Sequence, residues 1–189
     1  MLEERPESLK GQFLLAMPGL KDPNFSKTVS IICEHNDQGA VGVVINRVHA
    51  SISGEDIFKE LKMDYNPQAT SIPIYIGGPV HVGEIFIIHG EPFSWESCLM
   101  ITPWLAISNT RDIVESVAQN RGPGSFLLAL GCAGWGPGQL ESEIKENSWL
   151  THPVVEDIIF KSPANNRWEE GMKKIGIDPM LLSNTAGTA

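Results

Sequence analysis

Residues 28–46 read TVSIICEHNDQGAVGVVIN, and the fold class turns on them. From Val29 to His35 the side chains sort onto two faces at a period of two. Val29, Ile31, Cys33 and His35 fall on one face and Ser30, Ile32 and Glu34 on the other, as in a β-strand. Asn36-Asp37-Gln38-Gly39 supplies turn chemistry, with Gly39 free to take a positive φ. Ala40 to Asn46 is apolar and rich in β-branched residues, so the two runs are predicted to form one antiparallel hairpin turning at 36–39. Behind it, strands and helices follow without a regular βαβ beat, which favours an α+β fold over a doubly wound parallel one.

Working outward, an apolar run at 13–17 is stopped by Pro18-Gly19. Ser53 is predicted to cap a helix reaching about Lys62, with Asp56 at the third helical position. Strands are expected at 71–76, 84–89, once or twice within 98–108, at 125–130 and at 154–160. Helices are expected at 109–120, at 139–147 and from Ser162-Pro163 to near Gly176. The glycine-rich stretch 131–138 reads as a loop. Residues 1–12 read as a loose lead-in, 13–182 as one domain and 183–189 as a mobile tail.

Charge narrows the function classes. The chain of 189 residues carries 14 basic and 23 acidic residues, a formal net charge of -9. Nucleic-acid affinity comes largely from cations that neutralise phosphates, so direct nucleic-acid binding is not expected. Anionic membrane surfaces are disfavoured for the same reason. The opening MLEERPESLKG lacks the apolar core of a signal peptide, and no apolar run is long enough to span a bilayer. Cys33, Cys98 and Cys132 form no CxxC pair. A reduced, cytoplasmic chain is therefore expected.

Several groups invite a chemical reading. Cys33 and His35, on one strand face, would have Cα atoms roughly 6–7 Å apart, too far for a thiolate–imidazolium pair unless the side chains lean together. Arg47 is either an anion fork or a salt-bridge partner. Gly131 to Gly136 has phosphate-loop spacing, but Pro137-Gly138 stands where Lys-[Ser/Thr] is required. Glu141 and Glu143 would also repel a phosphate at the following helix. Trp135 in that stretch fills the core or a neighbouring chain, or flanks a small polar ligand. The five histidines show no metal-ligand spacing, so neither metal nor cofactor is expected.

Four stretches carry a wider resemblance: MPGLKDPNFSKTVSIICEHNDQGAVGVVINR, YIGGPV, LGCAGWGPGQLESEIKENSWL and WEEGMKKIGIDP. Together they resemble the YqgE/AlgH family of bacterial proteins, from about Phe13 to Leu182. The resemblance implies an α+β fold with a branched, mainly antiparallel sheet, partly closed as a small barrel and surrounded by helices. It implies a cytosolic protein of unsettled activity, one branch of whose family is named as a regulator of alginate biosynthesis. It also implies that three segments share one shallow pocket: His35 and Asn36 with Arg47; Gly77, Gly78 and Pro79; and Gly134, Trp135 and Gly136. These residues would contact a protein partner, a second copy of the chain or a small ligand, with Cys33 beneath them. Two functions follow: a binding protein whose effect on transcription is indirect, or a cysteine-dependent enzyme or redox sensor centred on Cys33 and His35.

The charge balance gives a first prediction. In a mobility-shift assay at physiological salt with competitor DNA, the protein should leave duplex DNA unshifted. A specific shift at nanomolar protein would defeat this reading.

Overall fold

Val29–Asn36 (β2) and Gly39–Val44 (β3) pair antiparallel across a turn where Asn36 faces Gly39, as predicted. The computed structural model describes residues 8–183. The remaining strands are β1 Gln12–Ala16, β4 Val48–Ser53, β5 Pro73–Ile76, β6 Val80–His89, β7 Leu99–Thr102, β8 Leu105–Ser108, β9 Phe126–Trp135 and β10 Trp149–Pro153. The helices are α1 Gly54–Glu60, α2 Arg111–Ala118, α3 Gln139–Lys145, α4 Glu156–Phe160, α5 Arg167–Lys174 and α6 Pro179–Ser183.

The hairpin holds one irregularity. Its register passes from Ile32 opposite Gly42 to Glu34 opposite Val41, so Cys33 is an extra residue, a β-bulge. A single extra residue inverts the facing of everything after it. Cys33 packs with Val29 and Ile31, whereas Ile32 packs with Trp135 and Leu140 of the α3 side. His35 then bonds to Glu141 on α3. The expected shared face of Cys33 and His35 is therefore corrected: the bulge sends the thiol and the imidazole to opposite sides of the sheet.

The strands run in the order β10-β1-β2-β3-β9-β6-β8-β7, with β4 paired to β5 and β5 lying parallel to β9. β9 is the branch. Its first half, at Leu128 to Leu130, lies between β5 and β6; its second half, at Ala133 to Trp135, pairs with β3. The sheet is branched and mainly antiparallel, as expected, but not closed into a barrel. The strand path ends at β10 and β7, which do not pair with each other. Residues 8–11 continue along β2 beyond β1: the Gly11 N–H donates to the Ile32 carbonyl and the Ser8 hydroxyl to the His35 carbonyl.

Two other expectations change, and one strand was not foreseen. Residues 131–135 are strand, not loop: Gly131, at φ 75°, bends β9 from one set of partners to the next. Residues 156–160 form α4, with Glu156 and Asp157 in its first turn, while the strand lies earlier, as β10. A short apolar run does not separate helix from strand by period alone. β4, paired only with β5, was not expected, although VHASIS alternates apolar and polar residues at a period of two. The α1 start matches its prediction, since Asp56 accepts from both the amide and the hydroxyl of Ser53 at 2.8 Å.

The branch requires backbone to meet backbone. A Cβ on Gly77 would lie 2.1 Å from the Gly131 carbonyl oxygen, and one on Gly78 would lie 2.2 Å from that of Cys132. Gly77 also bridges two strands: its N–H donates to the Leu130 carbonyl, and its own carbonyl accepts from the Val44 N–H. Gly77→Ala should lower unfolding stability by about 3 kcal/mol or more in urea. Gly83→Ala, where nothing lies within 4 Å of the added carbon, should stay within about 0.5 kcal/mol of wild type.

Candidate functional site

Most of the polar side chains singled out from the sequence hold loops. The Arg47 guanidinium donates to the carbonyls of Pro23, at 2.6 Å, and Ser26, at 2.9 Å. Asn46 accepts from the Val29 N–H and donates to the Lys27 carbonyl, each at 2.8 Å. Between them they clamp the loop before β2. Phe25 of that loop lies against Trp135 and Trp149, with ring centroids 6.0 and 5.5 Å away. Both indole N–H groups donate to one oxygen of Glu143, at 3.1 and 2.8 Å. Trp135 thus fills the core, and Glu143 satisfies its nitrogen.

His35 is a latch. Its Nδ1 accepts from the Leu9 N–H at 2.9 Å, which leaves the proton on Nε2 to be donated to Glu141 at 2.8 Å. Both ring nitrogens are engaged within the chain, and the side chain is only 4% exposed. Glu141 is held below the ordinary carboxylate range by its own backbone N–H and by the His35 donor, against the opposing effect of burial.

Cys33 is buried, and burial, with Cys132 nearby as a second cause, pushes its thiol well above the ordinary range. A thiol kept protonated is neither a nucleophile nor a metal ligand. Among the described residues no group of three or more His, Cys, Asp or Glu is placed to hold a metal ion.

Several depressions are open: a charged cleft of about 570 Å³ over Lys62, Arg111 and Arg121, a small one of about 240 Å³ at His35 and Glu141, and one over β3, β9 and the start of β6 that gathers segments singled out from the sequence. A cleft of about 510 Å³ is lined by Glu34, Asn36, Val41, Val80, His81, Cys132, Gly134 and Trp135, among others. A second, mostly apolar basin of about 280 Å³ adjoins it and shares Glu34 and Val41; Cys33, Phe86, Leu99 and Ile107 line it together with the polar Ser97, Ser108 and Asn109. Gly134 stands opposite Val41 in the ladder, and a Cβ there would meet only Val80, at 4.0 Å. The missing side chain is what leaves the cleft open.

The structure thus brings Asn36, Gly134 and Trp135 into one cleft. Gly77, Gly78 and Pro79 lead into Val80 at its edge without lining it, and His35, Arg47 and Gly136 lie outside. Sequence reasoning missed Glu34, Val41, Val80, His81 and Cys132. Their signal was available only for Val41, a strand residue whose ladder partner is a glycine.

The AlgH-like family model matches residues 13–180. The chain belongs to the AlgH-like family. A UPF0301 protein of Desulforapulum autotrophicum is 50% identical over 181 residues, covering 96% of each chain. One of Thioalkalivibrio sulfidiphilus is 42% identical over 178 residues, covering 94% of this chain and 95% of the relative. The solution structure of the AlgH protein from Pseudomonas aeruginosa superimposes with a TM-score of 0.80 at 39% identity, covering all of both chains. A Corynebacterium diphtheriae protein, 23% identical with a TM-score of 0.73 over 95% of this chain and 94% of its own, shares the fold.

The latch has a pH signature. A carboxylate with a lowered folded pKa adds stability above its unfolded pKa, ~4.3, and that stability is lost as pH falls through the folded value. Glu141→Gln should therefore cost about 1 kcal/mol at neutral pH. The gap from wild type should narrow as urea melts are repeated at pH values falling below ~4.3. A gap that stays constant with pH would show that the charge on Glu141 contributes nothing.

Proposed function

We propose that this AlgH-like protein works by binding: it engages a protein partner or small ligand in the cleft over β3 and β9, and it affects transcription only through that partner. The observation that carries the reading is the open depression at Gly134, lined by Asn36, Val41 and Val80 and continuous with the apolar basin. Concave, mostly apolar surfaces with a few polar groups are where proteins hold ligands. The net charge of -9 opposes direct contact with DNA, so a regulatory effect is assigned to the partner. A cytoplasmic setting belongs to the same proposal. Its support is that Cys33, Cys98 and Cys132 are free thiols and that no described helix is long and apolar enough to cross a membrane. The alternative centred on Cys33 and His35 gains nothing from this geometry, with the thiol buried and the imidazole turned to the other face.

The test is complementation of a strain lacking the gene, with transcript profiles as the readout. Wild type and Cys33→Ser should both restore the profile. Gly134→Leu, which fills the cleft with little contact strain, should fail to restore it while keeping a wild-type circular dichroism spectrum and melting temperature. If Gly134→Leu restores the profile, or Cys33→Ser does not, the binding reading is wrong.

A further inference from the structure

Glu34 stands between the two basins and lines both. It is half-buried, and among the described residues its carboxylate has no hydrogen-bond or ion-pair partner. A charge drawn partly out of water onto apolar walls is disfavoured unless an opposite charge meets it. The chain supplies little of that charge here. Lys10 acts on Cys33, on the same side, and His81 is already paired with Glu84 at 3.0 Å. Glu84 itself acts on Cys132 in the cleft floor, and Asp37 sits at the adjoining turn. The local balance is negative.

The walls on either side of Glu34 are mostly apolar and open. Val41 is 41% exposed, Val80 39% and Leu99 38%. An occupant that satisfies both features places a cation over Glu34 and aliphatic groups in the basins to each side. A chain segment does this naturally, because side chains at alternating positions of an extended peptide point the same way. A second copy of this chain is disfavoured by its own charge of -9.

We propose that the groove takes a segment of another protein that presents an arginine or lysine flanked by aliphatic residues, with the cation seated on Glu34. This rests on the binding reading above and specifies its partner.

The test is an NMR titration of the isotopically labelled full chain with Ac-Leu-Val-Arg-Val-Leu-NH2. Amide shifts should centre on Glu34, Val41, Val80 and Leu99. Replacing the peptide's arginine with glutamate, or making the Glu34→Gln protein, should weaken binding roughly fivefold or more, and added salt should weaken the wild-type pair. If the arginine and glutamate peptides bind equally at these residues, the assignment of a basic partner is overturned while the binding reading stands. Shifts confined to other residues, or none with either peptide, overturn the groove as a peptide site. Shifts at these residues that depend on protein concentration alone overturn the proposal in favour of a second copy. The complementation result for Gly134→Leu judges the binding reading separately.

Discussion

The branch in the sheet depends on three glycines whose backbones touch. Gly77 and Gly78 press against the carbonyls of Gly131 and Cys132, and a Cβ on Gly131 would in turn lie 2.6 Å from the Gly78 carbonyl oxygen. No side chain fits between these backbones. Because they meet, β9 can leave β5 at Leu130 and join β3 at Ala133. The hairpin, the parallel β5 and the long β6 are thereby tied to one strand. The depression over β3 and β9 lies beside this crossing, so its walls are set by main-chain geometry more than by mobile side chains.

The polar residues nearest to this frame serve it. Arg47 and Asn46 hold the loop that delivers Phe25 to the tryptophan pair. Glu143 accepts from both indoles, and His35 with Glu141 fixes the lead-in segment to α3. Arg167 is similar: buried at 3% exposure, it donates to the carbonyls of Ile45 and Ser162 and lies over the Tyr75 ring, tying α5 to the end of β3. Buried polar groups are disfavoured without partners, and here the partners are mostly backbone carbonyls that loops would otherwise leave unsatisfied. The residues that look chemical in the sequence thus largely hold loops and core, and the open surface is mostly apolar around one unpaired carboxylate, Glu34.

Much of the fold was legible. The hairpin followed from period-two sorting and a four-residue turn, and the α1 start from Ser53 and Asp56. The helices over 111–118 and 139–145 followed from their flanks. The sheet branch was not legible, because glycines that permit backbone contact and glycines that make loops look alike in sequence. For that reason 131–135 read as a loop. The candidate site was less accessible still. Which face a residue occupies depends on register, and the bulge at Cys33 is invisible in composition: nothing in Cys-Glu-His says that one of the three will be unpaired. The family resemblance grouped three segments, of which Asn36, Gly134 and Trp135 line one cleft, and only coordinates separate residues that line a cleft from those that support it.

That bulge acts as a phase shift along the strand. Up to Ile32 the odd-numbered residues face one way, and after Cys33 the even-numbered ones do. Removing Cys33 alone would leave Ile32 opposite Gly42 and Glu34 opposite Val41 in a regular ladder, so Glu34 and His35 would keep their sides. The latch would keep its imidazole and the groove its carboxylate, and the groove would lose only the thiol from its wall. A one-residue deletion is therefore expected to be better tolerated at Cys33 than at its paired neighbours. The two sides of the hairpin, one facing α3 and one facing the groove, meet at a residue that lines the groove and has no partner in the ladder.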